Sequence, residues 1–336
     1  LGIVRRRNWL LKLVQAEKID SVEDYRLVEA PRPTPAEGDV LIRVKMCGMG
    51  YVDALVALGG YQVKPPVPFT PGQEISGVVE AVGAQVQSVK IGDRVMANSF
   101  GGGLAEYVVV PHAMVTAIPD QLADAQAAGF RVNYLTALHG LRDRAQIRSG
   151  ERLLIFGAAG GVGSAAIQVG KVLGAQVIAV ASTEEKRAFA LHLGADATLD
   201  TNEDGWRDRL KQICGGKGVD VIFDPVSGPL FEAAFRSLNW GGRHLVVGFA
   251  GGPIPKLPIN LSLMKGASLV GVDVRQFLLY ENAHAMRHLD DLLAWVATGK
   301  MIPPIGREFA LDDFADAMRF AMSGSGLAKS VIRVSD

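Results

Sequence analysis

The stretch LLIFGAAGGVGSAAIQVGKVLGAQVIAVASTEEK, residues 153–186, constrains this chain more than any other. An apolar run meets a glycine cluster, a helical pattern follows, and a second apolar run ends in Ser182-Thr183. Near-continuous apolar strands joined by helices imply a parallel sheet covered on both faces. The strand-to-helix turn aims backbone N–H groups and a helix N-terminus at one place, and both favour a phosphate. Gly160 lets the backbone approach a pyrophosphate, and Gly163 lets the helix pack close to the strand. Ala159, Gly161 and Val162 complete the candidate loop. The spacing departs from a strict G-x-G-x-x-G, because Ala158 stands at its first position. A tight turn without a ligand is the plainer reading. The strand before it, the helix after it and the further strand-helix units argue for a dinucleotide.

The end of the second run narrows the cofactor. An NAD site of this kind carries Asp or Glu there, to bond the ribose 2′-hydroxyl. This chain has Ser182 and Thr183, followed by Lys186 and Arg187. Hydroxyls and cations suit a 2′-phosphate, so NADPH is the expected cofactor. Ser182-x-x-Glu185 also reads as a capping box for the next helix. Both readings hold together, since a capped helix start attracts phosphate as well.

Around this stretch two textures alternate. From about residue 10 to 119, short β-type runs are broken by Gly and Pro, as in DVLIRVKMCG and AEYVVVP. Helical periodicity begins near residue 122. Strands are then expected at 152–157, 177–181, 195–199, 219–223, 243–248 and 268–272. Helices are expected between them at about 161–173, 184–193, 204–214 and 229–238. The chain closes on the strand KSVIRV. The layout is a doubly wound domain, 130–269, inserted into a β-rich domain made of 1–129 and 270–336.

The 336 residues are 49% apolar and carry 35 basic and 35 acidic side chains. That balance leaves no electrostatic footprint for nucleic acid or an anionic membrane. The one basic cluster, Arg5-Arg6-Arg7, reads as a solvated end. No apolar run reaches the roughly 18 residues that span a bilayer. The first residues lack the order of a signal peptide, and two cysteines do not make a disulfide framework. A cytoplasmic protein is expected. A metal is not: His112, His139, His192, His244, His284 and His288 form no H-E-x-x-H, and there is no C-x-x-C. His284 and His288 are four apart, and with no third ligand near in sequence they read as a solvated helix face.

Taken in order, YRLVEAPRPTPAEGDVLIRVKMCG, GGYQVKPPVPFTPGQEISGVVEAVG, NYLTALHGL, the glycine loop, FDPVSG, LNWGGRHLVVGFAGG and KSVIRV resemble the zinc-independent medium-chain dehydrogenases/reductases. Within them the chain is similar to the NADPH:quinone oxidoreductases, the zeta-crystallin-like group. The resemblance implies a Rossmann sheet inserted into a GroES-like catalytic domain. It also accounts for the missing metal. Zinc relatives carry G-x-C-x-x-D where this chain has Gly48 to Asp53, with Gly50 at the cysteine position. They carry G-H-E where it has Gly72-Gln73-Glu74. Cys47 lies outside the ligand position, as a core thiol. Gly50, Leu55 and Thr201 depart from polar or aromatic residues common in the group, which leaves the substrate open.

The resemblance places Thr136 at the nicotinamide with Asn133 nearby, Tyr51 and Tyr61 in the substrate pocket, and Val247, Gly248, Phe249 and Ala250 along the nicotinamide ribose. It places Lys329 near the cofactor. A helix Thr bonding its own backbone, packed aromatics and a solvated Lys are the plainer alternatives. The implied reaction is NADPH-dependent reduction of quinones or related conjugated carbonyls. Reduction of an activated C=C bond in an alkenal or enoyl thioester is the alternative, and a non-catalytic NADPH- or RNA-binding role a remoter one. The apolar strand 268–272 is expected at the sheet edge, paired with its twin in a homodimer.

Overall fold

The computed structural model describes residues 10–62 and 64–335, so the Arg5–Arg7 cluster lies outside it. The chain divides into two units. The first takes the residues up to Arg131 and those from Pro304 onward; the second is Val132–Pro303.

In the first unit, β1 (Leu10–Ala16) pairs antiparallel with β2 (Tyr25–Pro31). A larger sheet contains β3 (Asp39–Met49), β4 (Glu74–Val82), β5 (Arg94–Asn98), β6 (Tyr107–Pro111) and β7 (Val115–Ala117). The long strand β3 is buried almost throughout, because β4, β6 and the chain's own C-terminal end all pair with it. Val40, Ile42, Val44, Ile75, Val95 and Val110 fill the core beneath it.

The second unit is a six-stranded, all-parallel sheet. Its strands are β8 (Arg152–Ile155), β9 (Gln176–Val180), β10 (Ala197–Leu199), β11 (Val219–Asp224), β12 (Leu238–Val246) and β13 (Ser268–Gly271). Their spatial order is β10-β9-β8-β11-β12-β13, with β13 at the edge. The order reverses between β8 and β11, which is where such sheets bind ligands, beyond the strand carboxyl ends. The helices Gly161–Val172, Glu184–His192 and Trp206–Ile213 fall where periodicity expects them. The fourth is shorter than expected: a 3-10 turn at Gly228–Leu230 and then Phe231–Phe235. Pro229 stands in that turn, and Leu238 already belongs to β12.

The C-terminal boundary differs from the expected 269/270. Residues 270–303 join the doubly wound unit. Their helices, Val274–Tyr280 and Asn282–Ala297, pack on a helix that starts the unit: Phe277 stacks on His139 at 3.9 Å, and Asp291 pairs with Arg142 at 2.6 Å. The chain then returns to the first unit as β14 (Glu308–Ala310) and β15 (Ser330–Arg333). Strand β15 pairs antiparallel with β3, Ser330 opposite Met49 and Ile332 opposite Cys47. Among the described residues, no helix is long and apolar enough to cross a membrane.

Candidate active site

In the doubly wound unit the glycine loop leaves β8 and enters a twelve-residue helix. Gly157 has φ +56°, a left-handed value that suits glycine, and a Cβ there would lie 2.9 Å from Val226. A Cβ on Gly163 would lie 2.2 Å from Gly157 O and 2.8 Å from Ala158 Cα, both backbone atoms. Only glycine allows this helix to start so close to the strand. Gly160 differs. A Cβ there would make only an ordinary contact, with Gly157 O at 3.4 Å. Gly160 is also the N-cap, and no side chain caps the helix there. Ala159 is buried in the loop, Gly161 and Val162 are half-buried, and the first-turn N–H groups form a cradle suited to a pyrophosphate.

Two more segments reach the same edge of the sheet. Beyond β9, Ala158 N donates to Val180 O at 3.2 Å, and Ser182 and Thr183 follow, exposed. The helix cap is Thr183, whose hydroxyl accepts from Lys186 N at 3.2 Å, one residue after the expected Ser182; with Lys186 at the third helical position there is no reciprocal bond of the capping-box kind. Ser182 Oγ is thereby relieved of the capping role. Of the two cations here, Arg187 bonds Asp200 at 2.8 Å and Ala181 O at 3.0 Å, and Lys186 is half-buried beside the cap.

Beyond β11 and β12, Asp224 organises the turn. One carboxylate oxygen accepts from Val226 N at 3.0 Å and Ser227 N at 2.7 Å; the other meets His244 Nε2 at 3.0 Å. Ser227 is held at φ +56°, which is costly for a residue with a Cβ. Its hydroxyl donates to Gly248 O at 2.9 Å, and Val247 N donates to Asp224 O at 3.0 Å. A Cβ on Gly248 would be 2.9 Å from Pro225 O. Val247, Gly248, Phe249 and Ala250 are thus laid along the FDPVSG turn, with Phe249 exposed. The sequence reading missed Asp224 and Ser227. An acid directly after an apolar strand was the available signal.

On the helix Arg131–Leu138, Asn133 is half-buried and Thr136 buried. Thr136 Oγ1 donates to Val132 O at 2.6 Å, the self-bonding alternative, so toward a ligand it acts only as an acceptor.

The first unit holds the remaining residues. Tyr51 opens the helix Tyr51–Ala57 and is exposed; Tyr61 packs at the margin of the β-rich core. Lys329 is not solvated. The β3–β15 register sets it beside Gly48 and Gly50, and its ammonium pairs with Asp53 at 3.0 Å and with Glu74. Burial opposes that charge, but Asp53 and Glu74 outweigh it and hold Lys329 protonated well above the ordinary lysine range. Asp53 also accepts from Gly50 N at 2.9 Å; burial lowers the pKa of Arg131, and the charge of Glu74 only partly offsets it. A Cβ on Gly50 would be 3.4 Å from both Asp53 Oδ2 and Lys329 Cε. Cys47 lies fully buried under Gly72 and Gly103, and burial, reinforced by Asp53, drives its thiol pKa up.

The comparisons follow this geometry. Residues 36–120 match the alcohol dehydrogenase GroES-like domain, and residues 161–294 the zinc-binding dehydrogenase family. Quinone oxidoreductase-like protein 2 of Rattus norvegicus is 37% identical over 90% of this chain and 87% of its own. The chain belongs to the quinone oxidoreductase-like medium-chain dehydrogenases/reductases. It is an oxidoreductase with a Rossmann-type sheet and a GroES-like domain. The Escherichia coli quinone oxidoreductase, solved in complex with NADPH, has a TM-score of 0.88 at 26% identity, over 96% of this chain and 99% of its own. The CurK enoyl reductase has a TM-score of 0.87 at 25% identity, with the same coverage.

The family match raises the question of zinc, which needs three converging N, S or O ligands. Gly50 offers no donor, Gln73 offers only an amide, and Asp53 and Glu74 are already paired with Lys329. These residues do not fit a catalytic zinc.

Proposed function

We propose that this protein is an NADPH-dependent, metal-free reductase of quinones or related conjugated carbonyls. The observation that supports the metal-free reading is the donor set itself: Gly50 and Gln73 stand where zinc relatives carry Cys and His, and the neighbouring Asp53 and Glu74 are paired with the ammonium of Lys329. NADPH supplies a hydride to an electron-poor conjugated system. The chain's own task is to bind and orient. Gly160 and the N–H groups of Gly161, Val162 and Gly163 receive the pyrophosphate. Ser182, Thr183 and Lys186 receive the 2′-phosphate. Val247, Gly248, Phe249 and Ala250 run along the nicotinamide ribose, and Thr136, accepting only, suits a carboxamide N–H, with Asn133 one turn away. Tyr51 and Tyr61 offer phenols to a substrate oxygen. A quinone that has accepted hydride needs one further proton, which solvent supplies, so no general acid is assigned.

Reduction of an activated C=C bond is the second reading, favoured by the likeness to CurK enoyl reductase. Steady-state assays of NADPH and NADH oxidation with ortho-quinones, para-quinones, 2-alkenals and enoyl-CoA esters decide between them. NADPH with a quinone is expected to be fastest; equal efficiency with NADH overturns the cofactor reading.

The proposal extends to a cytoplasmic homodimer. Strand β13 is an open edge, with Ser268, Leu269 and Gly271 exposed. Two such edges pairing across a two-fold axis would cover one another. Light scattering should give twice the chain mass, and Val270→Lys should give a monomer.

A further inference from the structure

His284 and His288 do not form a solvated helix face. His288 is 3% exposed, and its Nε2 stands 2.9 Å from Asp143 Oδ2. His284 Nε2 stands 3.7 Å from Asp143 Oδ1. The two imidazoles are four apart on the helix Asn282–Ala297, so they share a face and turn the same ring nitrogen to one carboxylate. Asp143 comes from a π-helical turn, His139–Arg144, closed by Ala145 N donating to Gly140 O at 2.8 Å. Such turns are rare, and they recur at functional positions.

We propose that Asp143, His284 and His288 form a binding site for a divalent first-row transition ion of the Zn2+ class. It lies wholly within the doubly wound unit and is independent of the quinone-reductase reading. The donor chemistry is two imidazole nitrogens and one carboxylate, a set that suits Zn2+. The three ligand atoms lie within 4.8 Å of one another. His288 Nε2 stands 2.9 Å from Oδ2 and His284 Nε2 3.7 Å from Oδ1, so each imidazole nitrogen is close to the roughly 3.4 Å that separates two ligands of a tetrahedral ion with bonds near 2.1 Å, each from its own carboxylate oxygen.

The surroundings are those of a supported site. His139 Nδ1 lies 2.8 Å from Asp143 Oδ2 and fixes the carboxylate. His284 Nδ1 lies 3.4 Å from Glu281 Oε2, a carboxylate–histidine pair behind the ligand nitrogen. Phe277 makes the apolar wall: His139 stacks on it at 3.9 Å, and His284 and His288 stand 5.4 and 5.7 Å from its ring. His139 is a positioning residue here. The ion would tie the π-helical turn near the start of this unit to the long helix near its end, which the sequence separates by 145 residues.

Full-length, tag-free protein stripped with a chelator tests this with ZnCl2 alone. Calorimetry and elemental analysis should give one Zn2+ per chain, bound at micromolar concentration. Saturation should raise the thermal transition by about 5 °C or more. Co2+ in its place should give the visible bands of a four-coordinate ion. His284→Gln, at a partly exposed side chain that folding tolerates, and His288→Gln should each weaken binding at least tenfold. His139→Gln should weaken it by about 10–100-fold while the stoichiometry stays at one. No stoichiometric uptake, or uptake unchanged in His284→Gln, overturns the proposal and leaves a hydrogen-bonded cluster with no ion.

Discussion

In the β-rich unit, Asp53 and Glu74 close on the ammonium of Lys329, and the cation is part of the chain. In the doubly wound unit, Asp143 gathers imidazoles from His139 and His288, with His284 beside them, and nothing in that set carries an obligatory positive charge. Buried carboxylates need a counter-charge or hydrogen bonds in either place. A tethered cation cannot dissociate, exchange or be chelated, and it is a poor Lewis acid. A carboxylate flanked by imidazoles, with no cation tethered to it, can accept a metal and release it. The contrast separates a fixed charge beside Gly50 from an exchangeable brace in the other unit.

The largest expected effect breaks the fixed side of that comparison. Lys329→Ala leaves Asp53 and Glu74 buried without their ammonium, a change that costs about 3–5 kcal/mol in comparable buried pairs. Chemical denaturation should show it as a lowered midpoint with unchanged slope. The pH dependence has a definite sign. The folded-state pKa of Lys329 is raised, so its contribution is complete below the ordinary lysine value near 10.4 and fades only as the pH climbs beyond it. A variant within about 1 kcal/mol of the parent would mean that the ion pairs are replaceable by water.

Lys186→Ala comes next. Loss of a charge-assisted phosphate contact should weaken NADPH by about 1.5–3 kcal/mol and leave NADH nearly untouched. Fluorescence titration with both cofactors measures it. Equal losses for both would move Lys186 away from the 2′-phosphate, and the Ser182 reading would fall with it.

The two glycines of the loop sharpen the same distinction at smaller scale. Gly163→Ala forces a Cβ onto backbone at 2.2 Å, so it should destabilise the fold by about 1–3 kcal/mol whether or not cofactor is present. Gly160→Ala adds only an ordinary contact with Gly157 O at 3.4 Å and should leave the apo transition nearly where it is while weakening NADPH. If Gly160→Ala bound NADPH as tightly as the parent, the pyrophosphate would have to lie elsewhere.

These positions also explain what sequence could tell. The loop 157–163, the strand-helix alternation around it and the acid-free end of β9 are written within a few dozen residues, where periodicity and glycine spacing report directly on backbone geometry. The cap on Thr183 in place of Ser182 is a one-residue error of the kind helix starts invite. Lys329 was harder. Its partners lie 255 and 276 positions away (Glu74 and Asp53), and only the β3–β15 register brings them together. A charged residue opening the apolar strand KSVIRV was the sole local hint. Asp143 was harder still. Nothing in HGLRDR announces a π-helical turn, and a boundary expected at 269/270 puts the helix that brings His284 and His288 in the other domain.

The smallest expected effect is none at all, and it bears on both clusters at once. Prolonged treatment with a strong chelator should leave kcat and kcat/KM for NADPH and a quinone unchanged, because the charge beside Gly50 belongs to Lys329 and cannot be extracted. Over the same treatment the thermal transition should fall to the metal-free value and recover when ZnCl2 is restored, because an ion held by Asp143, His284 and His288 stabilises the folded state only while bound. Stability and turnover should therefore separate under one reagent, provided turnover is measured well below either transition. An enzyme that lost activity to the chelator and regained it with Zn2+ would require a metal at the reacting centre. It would contradict the donor set at Gly50 and Gln73 and dissolve the distinction between the two clusters.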